Sequence, residues 1–175
     1  APAWTDIRPA TALIGASNGN LEQEQTYKTE PVEVSSTLTS VEKKVRESAV
    51  RVISNDGHGS GGLVRYKDLQ LVITAQHVAD GQLGYRYLVQ TPHEDKFSVL
   101  IYSDPLHDIA VLWVPAKFKH TKGMKWNPSD SISEIGTRIT YSGHPSWHSL
   151  MTFRGYVAGY ETHPHAGVQM ILNTC

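Results

Sequence analysis

The sequence contains a single cysteine, Cys175, among its 175 residues. One cysteine cannot form a disulfide bond within the chain, so the fold has to be held by its hydrophobic core. The formal net charge of −1 leaves no excess of basic residues with which to bind nucleic acid or an anionic membrane surface. No apolar run approaches the ~20 residues that a membrane-spanning helix requires. With 39% hydrophobic and 19% charged residues, the composition is typical of a soluble globular protein.

Residues 1–38 have no sustained apolar periodicity of either kind. They are rich in Thr, Glu, Gln, Ser, Asn and Pro, a composition that is typical of a tail or linker. We therefore expect an extension outside the folded core. The alternative is a segment that docks on the core, with Trp4, Ile7 and Leu13 as its anchors.

The first regular element is predicted to begin at Thr39. Thr39 and Glu42 have the spacing of a capping box, in which each side chain accepts a hydrogen bond from the other residue's backbone N–H. A short helix through Arg46 is therefore expected. Its apolar face is predicted from residues at four-residue spacing, Val41, Val45 and Ala49.

After the helix, the sequence changes to short β-branched and aromatic runs separated by turn residues. Six strands are expected here: Ala49–Ser54, Gly61–Tyr66, Leu69–Ala75, Tyr85–Gln90, Phe97–Tyr102 and Asp108–Val114. Short strands with tight turns and no intervening helix fit a small closed antiparallel barrel, which we place within residues 39–115. Residues 116–136 are weakly periodic and predict a connector.

Residues 137–175 contain three further predicted strands, Thr137–Ser142, Leu150–Tyr160 and Gly167–Asn173. Three strands do not close a barrel. An apolar strand such as Gly167–Asn173 would promote aggregation if one edge stayed unpaired. We therefore expect this strand to be paired on both sides, with at least one partner from polypeptide beyond Cys175 or from a second chain.

Two residues next to buried strands form a candidate catalytic pair. His77 lies in the segment LVITAQHV (residues 71–78), and Asp108 lies in HDIAVL (residues 107–112). An imidazole titrates near neutral pH, and a carboxylate that accepts its Nδ1–H holds it in the tautomer that can take a proton from a nucleophile. We predict that His77 and Asp108 lie within hydrogen-bond distance. Asp104 is a rival for Asp108, but it precedes Pro105 and has the features of a turn former.

These segments resemble the trypsin-like serine peptidases of the chymotrypsin fold, most closely the short HtrA-like and viral forms. GSGGLV (59–64) is similar to the family's second strand, and ITYSGHP (139–145) and FRGYVAG (153–159) to the first strands of its second barrel. The segments around His77 and Asp108 are similar to its catalytic histidine and aspartate strands. The resemblance implies an all-β fold of two six-stranded antiparallel β-barrels, the second incomplete in this chain.

The resemblance also implies a nucleophile after Asp108. Ser60 lies in HGSGG (58–62), which is similar to the family's GxSGG loop, but it precedes His77 and has His58 where the loop has glycine. Cys175 is not preceded by the glycine of that loop either. We therefore predict a nucleophile, serine or cysteine, beyond Cys175. The remaining candidates are expected to be loop residues: Ser142, Ser146 and Ser149.

Late histidines are candidate metal ligands: His144, His148, His163 and His165. His163 and His165 are separated by proline, and no acidic or cysteine partner has ligand spacing. We expect solvated turn histidines, with neither a metal nor a cofactor.

The resemblance therefore implies an endopeptidase that cleaves polypeptide by acyl transfer, with His77 as general base, Asp108 orienting it, and the nucleophile supplied from beyond Cys175. The alternative is a non-catalytic structural or binding module with the protease fold, for example in a virus or phage particle. The sequence begins with Ala1, which either a processing event or the removal of an initiator methionine would produce. A processed viral or phage product and a bacterial periplasmic or secreted protein are therefore both open.

Overall fold

The computed structural model describes residues 32–129, 131–145 and 148–173. These residues form helix α1 (Ser40–Ser48) and ten strands. The strands are β1 (Ala49–Ser54), β2 (Gly57–Tyr66), β3 (Leu69–Thr74), β4 (Arg86–Gln90), β5 (Asp95–Asp104), β6 (Ile109–Trp113), β7 (Met124–Lys125), β8 (Arg138–Gly143), β9 (Met151–His163) and β10 (Gly167–Asn173). Most of the extension predicted at residues 1–38, with Trp4, Ile7 and Leu13, lies outside the described residues, as does Cys175.

Strands β1 to β6 form a closed antiparallel barrel. Their order around the sheet is β1-β4-β5-β6-β3-β2, and β1 pairs again with β2 to close the ring. Closure gives every strand of the barrel two neighbours, so none presents a free edge along its length. The predicted first barrel is confirmed. β7, inside the predicted connector, adds a short parallel pairing to β2.

The barrel core consists of apolar side chains that alternate along the strands and point inward. Gly61 gives the strands room to approach, since a Cβ at this position would lie 2.6 Å from Cγ1 of Val72. Glycine at this position therefore lets β2 and β3 pack closely against each other. Fully buried core residues are Val50, Val52, Leu63, Val72, Val89, Leu100, Leu112 and Val114.

Helix α1 begins with the predicted capping box. Thr39 Oγ1 accepts from the Glu42 N–H at 3.2 Å, and Glu42 Oε1 accepts from the Thr39 N–H at 2.8 Å. The predicted apolar face is wrong at Val41, whose side chain is 55% exposed. Glu42 is buried instead, because it binds the guanidinium of Arg154 from β9 through Nε and, at 2.9 Å, through Nη2.

No helix among the described residues is long and apolar enough to cross a bilayer.

Strands β8, β9 and β10 form a second antiparallel sheet with β9 in the middle and β10 at one edge. α1 joins this sheet to the barrel, since Arg46 Nη1 donates to the carbonyl of Leu150 at 3.1 Å and to Thr152 Oγ1 at 3.0 Å. β10 also carries exposed apolar side chains, Val168, Met170, Ile171 and Leu172.

Acid is expected to weaken the junction between α1 and β9. The hydrogen bonds from Arg154 and from the Thr39 N–H lower the pKa of Glu42 from 4.5 to about 2. A carboxyl with a lowered pKa in the folded state contributes stability above its unfolded pKa and loses it as the pH falls through the folded value. The difference in free energy of unfolding between wild type and Glu42→Gln should therefore be largest near neutral pH and shrink from about pH 4.5 towards about 2.

Denaturant unfolding at a series of pH values measures this difference. Glu47→Gln is the matched control, because Glu47 lies on the same helix with an exposed side chain. The Glu47 variant should follow the wild type at every pH. A Glu42→Gln difference that stays constant between pH 7 and 2 would contradict the assignment.

Candidate active site

His77 lies on a single helical turn that directly follows β3. The N–H groups of Val78 and Ala79 donate to the carbonyl of Ala75 at 3.0 and 3.3 Å, which closes the turn. Val78 and Ala79 are buried in the barrel core, so the turn is anchored beneath the histidine. At the strand end, Thr74 Oγ1 donates to the carbonyl of Ser60 at 2.9 Å. His77 is therefore held at the rim of the barrel with a partly exposed ring.

Asp108 directly precedes β6 and has a φ of +55°. This left-handed conformation is uncommon outside glycine, and aspartate tolerates it better than most residues because its side chain is short and polar. The turn before it is closed by Asp104, whose Oδ1 accepts from the His107 N–H at 3.1 Å. Asp104 is thus the turn former that the sequence predicted, and it pairs with His107 rather than His77.

The structure brings His77 and Asp108 together through two hydrogen bonds. Asp108 Oδ2 lies 2.7 Å from Nδ1 of the imidazole, and Oδ1 accepts from the backbone N–H of His77 at 2.9 Å. Two oxygens bound to one residue fix both the position and the rotation of the ring. A carboxylate at Nδ1 favours the tautomer with its proton on that nitrogen, which leaves the Nε2 lone pair for proton transfer. Both side chains are partly exposed, at 32% and 44%.

Ser60 lies at the contact between the barrel and the second sheet. Its side chain is buried, and its Oγ accepts from the backbone N–H of His144 at 2.7 Å. A Cβ on Gly143 would lie 2.8 Å from this oxygen, so the two sheets approach each other closely at this point. These contacts give Ser60 a structural role, in agreement with its exclusion as a nucleophile by sequence order.

Two histidines near Ser60 are kept neutral by their surroundings. Burial and the nearby Arg51 guanidinium lower the pKa of His58 to about 3 and that of His144 to about 4. Arg51 Nη2 lies 3.3 Å from Nδ1 of His144, and because a guanidinium only donates, this nitrogen is the acceptor. The expectation of a solvated turn histidine is therefore wrong for His144. Its partner lies 93 residues away in the sequence, which no local pattern indicates.

The other late histidines and serines are placed as follows. His163 Nδ1 accepts from the N–H groups of His165 and Ala166, both at 3.2 Å, so this histidine caps the turn between β9 and β10. Ser142 was predicted both as the last residue of a strand and as a loop residue; it belongs to β8, so the strand prediction is the correct one. Within residues 32–129, 131–145 and 148–173, no group of three or more His, Cys, Asp or Glu side chains is arranged to hold a metal ion. Ser146 and Cys175 lie outside the described residues.

Known proteins with similar sequences are serine proteases. No family model matches the chain. Over 98 residues, or 55% of this chain, it is 29% identical to the pro-apoptotic serine protease NMA111 of Candida glabrata and 28% identical to that of Yarrowia lipolytica. The matched region is 10% of each relative, so the similarity covers about a tenth of those proteins.

Solved structures of proteases have the same fold as this chain. The inactive form of the Rv3671c protease has a TM-score of 0.55 at 16% identity, over 81% of this chain and 74% of that one. Deg5 has a TM-score of 0.53 at 19% identity, over 75% of this chain and 72% of that one. None of the proteins named here is described as viral, so the predicted resemblance to viral forms of the family gains no support. The fold of this chain is that of the trypsin-like serine peptidases, and its predicted resemblance to their HtrA-type members is confirmed.

Proposed function

We propose that this chain supplies the histidine and the aspartate of a Ser-His-Asp endopeptidase, with His77 as general base and Asp108 as the residue that orients it. The observation that carries the proposal is the pair of hydrogen bonds from Asp108 to the ring and backbone of His77, at 2.7 and 2.9 Å. The similarity to serine proteases supports it. The substrate is a polypeptide, and the chemistry uses neither a metal nor a cofactor.

The proposed reaction begins when Nε2 of His77 takes the proton of a serine hydroxyl as its oxygen bonds to the carbonyl carbon of the scissile peptide. The Asp108 carboxylate stabilises the imidazolium that forms. His77 then gives this proton to the departing amine nitrogen as the C–N bond breaks and an acyl-enzyme remains. Water attacks the acyl-enzyme, with His77 again accepting and then returning a proton, so the enzyme is regenerated unchanged.

We place the nucleophile on polypeptide beyond Cys175, in a continuation of the chain or in a second chain. The apolar side chains exposed along β10 support this placement, because a strand edge with apolar residues is ordinarily covered by further polypeptide. The contacts of Ser60 support it as well, since its Oγ already accepts a hydrogen bond from His144. Polypeptide that pairs with β10 would complete the second barrel.

A serine-directed fluorophosphonate tests the proposal in the natural polypeptide that contains this chain. The label should bind covalently to one serine beyond Cys175, as mapped by mass spectrometry of peptides, because only an activated hydroxyl displaces fluoride at a useful rate. Ser60→Ala should keep the labelling rate within about threefold, while the His144 N–H that loses its acceptor lowers stability by about 1–3 kcal/mol.

Labelling that depends on Ser60 would place the nucleophile in the first barrel and overturn the proposal. A folded protein that takes up no label would favour the non-catalytic module with the protease fold.

A further inference from the structure

A second histidine–aspartate pair lies beside the first. His107 Nδ1 is 2.7 Å from Asp104 Oδ2, and the His107 N–H donates to Asp104 Oδ1 at 3.1 Å. The other ring nitrogen, Nε2, lies 3.1 Å from the backbone carbonyl oxygen of Ala166. Ala166 belongs to the turn between β9 and β10, so one imidazole joins the β5–β6 turn of the barrel to the second sheet.

The chemistry of the two partners determines the protonation state of this ring. A carboxylate and a backbone carbonyl are both acceptors, and a neutral imidazole has only one N–H to donate. Both contacts are therefore satisfied together only when His107 carries protons on both nitrogens. In agreement with this geometry, the Asp104 carboxylate and then the Ala166 carbonyl raise the pKa of His107, and His107 lowers the pKa of Asp104.

The position of His107 in the chain links this contact to the candidate active site. His107 is bonded directly to Asp108, whose left-handed φ of +55° depends on the shape of the turn. The Asp104 and Ala166 contacts hold the peptide on one side of Asp108, and β6 holds the other side. Because the His107–Asp104 pair is partly exposed, its contribution to overall stability is small.

We propose that doubly protonated His107 is a positioning residue, which holds Asp108 against His77 by tying the β5–β6 turn to the β9–β10 turn. The inference that this affects catalysis rests on the proposed function, whereas the geometric inference does not. On the barrel side, the neighbouring titratable groups are Asp104, its hydrogen-bond partner Tyr102, and Asp108; on the other side, His163 and His165 lie within three residues of Ala166 in the sequence.

The proposal gives the two histidines opposite requirements. His77 has to be neutral to accept a proton, and His107 has to remain charged to keep both contacts. A raised pKa means that the His107 contacts are complete below its ordinary value of 6.5 and are lost as the pH rises through the higher folded value. Activity should therefore fall on the alkaline side as His107 loses its proton and the two contacts that hold Asp108 are lost.

NMR spectroscopy of the natural polypeptide tests the positioning without any need for activity. The His107 ring should show both nitrogens protonated at pH 6, and the His77 Nδ1–H signal should weaken as His107 loses its proton above pH 6.5. In His107→Gln, whose side chain carries no charge, the His77 signal should be weak at every pH and show no such step. The proposal is overturned if the His77 Nδ1–H signal does not change as His107 loses its proton, or if this signal is the same in His107→Gln as in the wild type.

The second experiment measures kcat/KM as a function of pH. In His107→Gln, kcat/KM should no longer decrease at alkaline pH, and its maximal value should be about tenfold lower than in the wild type. This loss lies within the roughly hundredfold decrease in rate that misplaced catalytic groups can cause. His120 is an exposed histidine in the connector, residues 116–136. His120→Gln should show the same dependence of kcat/KM on pH as the wild type. A protein without peptidase activity at any pH refutes the proposed function, and the NMR result then decides the positioning alone.

Discussion

Replacement of His77 with alanine is expected to lower kcat/KM for polypeptide hydrolysis by about 10⁴-fold or more in the polypeptide that also contains the nucleophile. The variant loses the group that takes the serine proton, and the hydroxyl alone is a poor nucleophile at neutral pH. The barrel should still unfold cooperatively, because the His77 ring is partly exposed and its turn is anchored by Val78 and Ala79. Hydrolysis of a fluorogenic peptide and urea unfolding measure the two effects.

His120→Ala is the matched control for this prediction. His120 is an exposed histidine whose backbone N–H, rather than its ring, binds Glu94, so its replacement should leave hydrolysis within about twofold. If His77→Ala retained activity within tenfold of the wild type, another residue would have to be the base.

Replacement of Asp108 with asparagine is expected to lower kcat by about 10⁴-fold with little change in KM. In the wild type, both Asp108 oxygens accept hydrogen bonds, one from the His77 N–H and one at Nδ1. Asparagine has only one oxygen. If this oxygen keeps the backbone N–H, the amide NH₂ faces Nδ1, which then has to be the acceptor, and the ring proton moves to Nε2. An imidazole protonated at Nε2 cannot accept the serine proton.

Steady-state kinetics give kcat and KM separately, and the ¹⁵N shifts of the His77 ring report its tautomer. Asp56→Asn, in the exposed turn between β1 and β2, is the control and should behave as the wild type does. Asp108→Asn with normal kcat, or with the proton still on Nδ1, would show that Asp108 does not orient the base.

Local patterns in the sequence were sufficient for most strands of the barrel and for the start of the helix. Alternation of apolar residues locates β1 and β10 with their observed bounds, since the side chains of a strand point to opposite faces in turn. Patterns failed at the start of β2, which was predicted at Gly61 and lies at Gly57. Glycines weaken the local strand signal, but pairing with β1 extends the strand across them.

Contacts between distant parts of the chain could not be read in this way. Val41 was expected on the apolar face of the helix, because it recurs with Val45 and Ala49 at four-residue spacing. In the structure Val41 is exposed and Glu42 is buried, because Arg154, 112 residues further on, binds the Glu42 carboxylate. The choice of a partner at such a distance depends on how the second sheet docks on the barrel, and no local period encodes that docking.

The candidate site shows the same division. Residue type and order by themselves determined that His77 and Asp108 are the histidine and aspartate to consider, because each lies next to a buried strand and in the order of the resembling peptidases. Only the tertiary structure decided their geometry: β3 and β6 pair side by side, and this places the Asp108 carboxylate on both the ring and the backbone of His77. It also decided the contact of His107 with Ala166, 59 residues away. Strand pairing depends on the packing of the whole barrel core, whereas strand formation depends on neighbouring residues.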